Sequence, residues 1–158
     1  MASTIFEKQA SLKPSAMRTV AERRFDDAEA LRKTKDNARA NGVAYLVGFV
    51  IEILLKAKLV EKFSRIAKTP RHLVKDDERE VWSLIWRRHD LDAMLLKMTE
   101  LQANLKKKGE RDGSDYVGQL KVICTTWTIQ ARYSSELIAM DEAAGLLERV
   151  RVLKELLK

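Results

Sequence analysis

Residues 43 to 60 read Val-Ala-Tyr-Leu-Val-Gly-Phe-Val-Ile-Glu-Ile-Leu-Leu-Lys-Ala-Lys-Leu-Val, and Val43 to Ile51 contain no charge. A helix over this stretch is apolar on every side, so it belongs in the middle of a bundle rather than on its surface. The first charges are Glu52 and Lys56, four apart with the acid first, the favourable order for an ion pair along a helix. A membrane span needs roughly 18 or more apolar residues with few charges, and Glu52 ends the uncharged run too early. The stretch therefore predicts a buried central helix with one polar pair embedded in it.

What surrounds this helix follows from composition. The chain has 158 residues, enough for one domain with a real core. Two prolines and six glycines are few against abundant Ala, Leu, Lys, Arg and Glu, so helix is the default. No stretch alternates with period two and β-branched enrichment, so no sheet is expected. The predicted class is all-α: a single up-and-down bundle of four to five helices over 14–158, preceded by an N-terminal arm at 1–13. The N-terminus lacks the basic start and apolar core of a secretory signal. A lone Cys124 allows no internal disulfide and no multi-cysteine zinc site. Both features point to the cytoplasm.

In chain order, Pro14 suits the first turn of a helix running from Ser15 to about Lys35. Its apolar positions are Met17, Val20, Ala21, Phe25, Ala28 and Leu31. Asn37 to Gly42 reads as a soft turn before the central helix. Thr69-Pro70 breaks helix, and a short helix from Asp76 to about Arg87 carries Trp82 and Trp86 on one face. That pair reads as packing, with an exposed stacking pair for nucleic acid as the alternative. Asp90 reads as the N-cap of a helix with apolar positions Leu91, Met94, Met98, Leu101 and Leu105, ending at Lys106-Lys107-Lys108-Gly109. Gly109 to Ser114 reads as a loop. Helices are then expected from Asp115 to Tyr133 and from about Ser135 to Leu157. The first carries Leu120, Ile123, Cys124, Trp127 and Ile129 as core, the second a stripe of Ala143, Leu146, Val150, Leu153 and Leu157.

The net charge is +7, and its placement says more than its size. From Lys56 to Lys75, seven cations stand against Glu61 alone. One reading is a patch for phosphate or nucleic acid. The other is a solvated helix end and loop, since cations are favoured at a helix C-terminus. Glycine-rich phosphate loops, the Gly-x-Ser-x-Gly elbow and the His-Glu-x-x-His zinc pattern are absent from the sequence. No cofactor and no metal are expected, and no carboxylate pair stands out as an acid–base couple.

Three landmarks together resemble the HEPN family (higher eukaryotes and prokaryotes nucleotide-binding domains). The first is the apolar helix Ala44 to Ala57. The second is His89-Asp90-Leu91 followed by Leu95-Leu96. The third is Trp127, then Arg132-Tyr133, then an amphipathic final helix. The resemblance covers roughly residues 15 to 157. It implies a bundle of four or five helices, a homodimer, and work near RNA or nucleotides in toxin–antitoxin, defence or nucleotidyltransferase-associated settings. A cognate nucleotidyltransferase or antitoxin is thus a candidate partner. No membrane partner is implied.

Active ribonucleases of that family carry an Arg-x4–6-His motif and cleave without a metal. The histidine moves a proton while the arginine stabilises the phosphate charge. Here Arg65 and His72 have that spacing, but they lie just after the central helix and span Pro70. No histidine follows Arg132. The candidates for catalysis are therefore His72, Arg65 and His89. The candidates for binding RNA or nucleotide are Arg87, Arg88, His89, Arg132, Tyr133 and Lys56. Beside each stands a structural role. His89 next to a capping Asp holds a loop, Arg132 pairs with Glu52 or Asp90, Tyr133 packs on Trp127, and Lys56 pairs with Glu52 in the interior. The preferred expectation is a non-catalytic HEPN-like module that binds nucleotide, RNA or a partner protein. The alternative is a metal-independent ribonuclease.

Overall fold

The computed structural model describes residues 13–127, 136 and 138–158. The central helix, α2, spans Ala40–Lys62, and 13 of its 23 residues are buried. They include Val47, Ile53 and Leu59, which at about 100° per residue point in three different directions around the axis, so the helix is enclosed as its uncharged run demands. Helix α1, Pro14–Lys33, lies before it and makes the most extensive contact with it. Proline occupies its first turn, and Met17, Ala21, Phe25 and Ala28 form its buried face. Val20, expected on that face, is instead 37% exposed, because it sits beside the Met17–Ala21–Phe25 line rather than on it.

Helix α8, Met140–Leu157, covers another side of α2. Its buried stripe is Met140, Ala143, Leu147, Val150, Leu153 and Leu157. The expected Leu146 is only partly buried, displaced by Leu147 as the stripe follows the groove beside α2. The first turn of α8 has no side-chain cap from its own Ala139. Asn37 supplies it across the fold, its Oδ1 accepting from Met140 N at 3.0 Å. Asn41 adds two more bonds, donating to Glu136 O at 2.6 Å and accepting from Ile138 N at 3.0 Å. The supposed soft turn before the central helix is therefore a clamp: a 3-10 turn at Asn37–Arg39, capped by Asp36, that fixes where α8 begins.

Short pieces close the remaining sides of α2. After the single turn α3 (Ser64–Ala67) come 3-10 turns at Arg71–Leu73 and Asp76–Glu78, then α4, Arg79–Trp86. Asp90 then caps α5, Leu91–Leu96, accepting from Ala93 N at 2.9 Å. The helix expected from Leu91 to Lys108 breaks at Lys97-Met98. Met98 leaves helical geometry with φ −120° and ψ 55° while its side chain stays buried, and Leu95 O accepts from both Met98 N at 3.0 Å and Gln102 Nε2 at 2.9 Å. Helix α6, Thr99–Asp112, then passes straight through the expected glycine stop. Gly109 is buried inside it, and the left-handed terminus falls at Gly113, with φ 67°. Helix α7, Tyr116–Thr126, is capped by Asp115, which accepts from Gly118 N at 2.8 Å. Helices α6 and α7 pack outside the short pieces, on α5 and on each other.

Among the described residues the protein is thus all-helical, with eight α-helices and no strand. No helix among them is long and apolar enough to cross a membrane. Residues 1–12 of the expected arm at 1–13, and the residues 128–135 that include Ile129, Arg132 and Tyr133, lie outside the described residues.

Candidate functional site

Glu52 is only 1% exposed, an expensive place for a carboxylate. Two donors meet it on the same oxygen: Lys56 Nζ at 2.9 Å, one helical turn on, and His89 Nδ1 at 2.8 Å from the turn between α4 and α5. The second oxygen, Oε2, is buried without a hydrogen-bond partner among the described residues. The Glu52–Lys56 pair follows from their spacing in the sequence. The third member does not, because His89 reaches Glu52 across 37 residues of chain.

The turn carrying His89 is fixed at several points. Arg87 N and Arg88 N both donate to Ser83 O, at 2.8 and 2.9 Å, closing the end of α4. Arg88 Nη2 donates to Asp90 Oδ2 at 2.7 Å, while Asp90 Oδ1 caps α5. His89 holds the turn to the interior through Glu52, but its own side chain is 42% exposed. Arg87 points another way: its guanidinium carbon lies 5.4 Å from the centre of the Trp82 ring, within cation–π range.

Trp82 is partly buried and donates Nε1–H to Thr69 O at 3.0 Å. Its ring lies 6.2 Å from that of Trp86, tilted by 34°. The two tryptophans, with Ala67, Lys68, Thr69, Pro70 and Arg87, line a recess of about 370 Å³. The basic stretch after the central helix and the tryptophan pair of α4, separate features in the sequence, thus form one feature of the fold.

Other candidates fall elsewhere. Arg65 is tied to Glu78 on the 3-10 turn before α4. His72 is exposed, and its side chain makes no hydrogen bond or ion pair among the described residues. The spacing of Arg65 and His72 is thus not accompanied by a contact between them. The structural role weighed for Arg132, pairing with Glu52 or Asp90, lies outside the described residues, as does the stacking of Tyr133 on Trp127. Trp127 itself packs on Tyr45, ring centres 5.8 Å apart, and donates Nε1–H to Tyr45 O at 3.2 Å. Cys124 is buried on α7, and burial, with Asp92 nearby, pushes its thiol up to about 12, so it is no nucleophile at neutral pH. Among the described residues no group of three or more His, Cys, Asp or Glu could hold a metal ion.

Comparison with protein-family models, with curated proteins and with solved structures found no match for this chain.

Proposed function

We propose that this protein is a non-catalytic helical module of HEPN-like type that binds RNA or nucleotide through the Arg87–His89 turn and the surface beside it. The observation that carries this reading is the division of labour within the turn. His89 Nδ1 and Arg88 are engaged in holding the turn, and Arg87 makes no ion pair among the described residues. A fixed turn that presents cations is suited to phosphate, because the charges are oriented before the ligand arrives. The dimer and the cognate nucleotidyltransferase or antitoxin partner belong to the same reading, through the family resemblance alone.

One observation favours the ribonuclease alternative, and it favours His89 over His72. A buried carboxylate on Nδ1 with the ring half exposed is the arrangement that orients an imidazole for proton transfer at Nε2. The two readings separate in one assay, incubation of single-stranded RNA with excess chelator at high protein concentration. The binding module predicts retention of the RNA without cleavage, together with weaker, less salt-sensitive binding in an Arg87→Ala/Arg88→Ala variant. Cleavage by the wild type that disappears in His89→Ala would replace the module with an enzyme.

A further inference from the structure

Trp86 is 46% exposed at the end of α4, and among the described residues it faces the recess with only Trp82 as an aromatic neighbour. A large exposed ring is ordinary when isolated. This one is not isolated. Trp82 is locked in place by its bond to Thr69 O, Arg87 lies over the Trp82 ring, and Pro70 adds an apolar wall. The rim carries Lys68 and Arg87, neither of them in an ion pair with a described residue, and among the described residues no acidic side chain lines the recess. Its volume, about 370 Å³, lies within the range of pockets that take small ligands.

An occupant matched to these walls is flat, so that it can stack on an indole, and is flanked by negative charge. We infer that the recess formed by Trp82, Trp86, Pro70, Lys68 and Arg87 is a subsite for an unpaired nucleobase of a single-stranded nucleic acid. Trp86 supplies the stacking face, and Lys68 and Arg87 engage the phosphates on either side. A paired base cannot use the recess, because its faces are covered by its neighbours in the duplex. This inference rests on the binding reading above and deepens it, naming the form of nucleic acid and the side chains that receive the base. The sugar is not part of the argument, so RNA and DNA are two sources of the same base and phosphate chemistry.

The test is fluorescence anisotropy of end-labelled twelve-residue single-stranded RNA, single-stranded DNA of the same sequence, and a blunt RNA duplex. Wild type, Trp86→Ala, Trp86→Phe and Lys68→Ala are compared, with circular dichroism as the check on folding. The expected result is that Trp86→Ala weakens single-strand binding about 5- to 160-fold, the range of base–aromatic stacking, whereas Trp86→Phe restores most of it. Binding of the single strand also quenches tryptophan fluorescence in wild type and much less in Trp86→Ala. Lys68→Ala lowers the salt slope for single strands by about 0.7, as loss of one phosphate contact requires. Equal effects on RNA and DNA support the subsite as stated.

If Trp86→Ala and Lys68→Ala bind single strands like the wild type, the subsite is wrong, while retained sensitivity to Arg87→Ala/Arg88→Ala keeps the broader binding reading. If the duplex is bound as tightly as the single strand and loses as much with Trp86→Ala, the recess does not read unpaired bases. If the wild type binds no nucleic acid at low salt, the broader reading falls and the subsite with it.

Discussion

Glu52 and Gly48 lie four residues apart on the central helix, and each is constrained by a residue far along the chain. Gly48 lies against Trp127: a Cβ at this position would come 1.9 Å from the indole Cδ1. Space, not backbone freedom, is what requires glycine here. Gly48→Ala therefore forces the ring of Trp127 out of its place over the helix and away from its hydrogen bond to Tyr45 O. The expected cost is about 1–3 kcal/mol, measured by urea denaturation, as for other overpacked cores. Glu52 presents a different balance. Its charge is tolerated in the interior because Lys56 and His89 both reach Oε1. Glu52→Gln keeps the shape and one acceptor but removes the charge that holds both donors. Its expected cost is about 1–3 kcal/mol, with increased amide hydrogen exchange in the Arg87–Asp90 turn and little change in α6. Equal exchange in wild type and variant would show that Glu52 does not hold the turn.

At the scale of elements, the ends of helices are decided by partners from elsewhere. Helix α8 begins where Asn37 and Asn41 meet it, so Asn37→Ala should behave as loss of an N-cap although it lies outside that helix. The expected loss is about 0.5–2 kcal/mol, and amide exchange should rise in the first turn of α8 rather than in α1. The other end of α8 is tied to α1 by charge. Lys154, 6% exposed, reaches Glu22 at 2.6 Å and Glu155 at 2.9 Å, and Lys158 reaches the same two carboxylates. Hydrogen bonds from Lys158 and then Lys154 lower Glu155 from 4.5 to about 2. For Glu22 burial acts upward, but bonds from Lys154 and Lys158 together outweigh it and the net shift is downward. Both carboxylates thus ionise more readily folded than unfolded. Their stabilisation is complete above their unfolded value of about 4.5 and disappears as pH falls through the folded values. The melting temperature should therefore fall as pH is lowered from about 5 to 2, and Lys154→Met should flatten that profile. Because Glu155 is well exposed, the effect should also shrink in high salt.

For the whole molecule, one core joins residues from α1 to α8, with α2 in contact with α1, α3, α4, α5 and α8. Removing any of these helices uncovers the apolar surface of α2, so unfolding should be cooperative. Far-ultraviolet circular dichroism and tryptophan fluorescence should give coincident denaturation curves. Cys124 provides an independent readout, since its buried thiol should react with a thiol reagent at pH 8 only through the same opening. Fast labelling of Cys124 in the absence of denaturant would show that α7 opens independently of the rest.

The sequence alone determined the all-helical class, the buried central helix, the Glu52–Lys56 pair and the capping role of Asp90. Each follows from local physics: an uncharged run, an i,i+4 spacing, a short acceptor before a helix. Tertiary structure decided what local physics leaves open. The break at Met98 goes with Gln102 Nε2 donating to Leu95 O and with a buried place for the Met98 side chain, neither of which is a helix-stop signal. Lysines followed by glycine at 106–109 look like such a signal, yet the helix continues to Asp112, where Lys108 pairs at 2.9 Å and the true left-handed residue follows. The candidate site shows the same division. Arg87, Arg88 and His89 are adjacent in sequence, but only the fold sets them against Glu52 on one side and the Trp82–Trp86 recess on the other. Contacts spanning 13 to 37 residues of chain leave no periodic trace, because the side chains that make them are chosen by a surface that exists only after the helices pack.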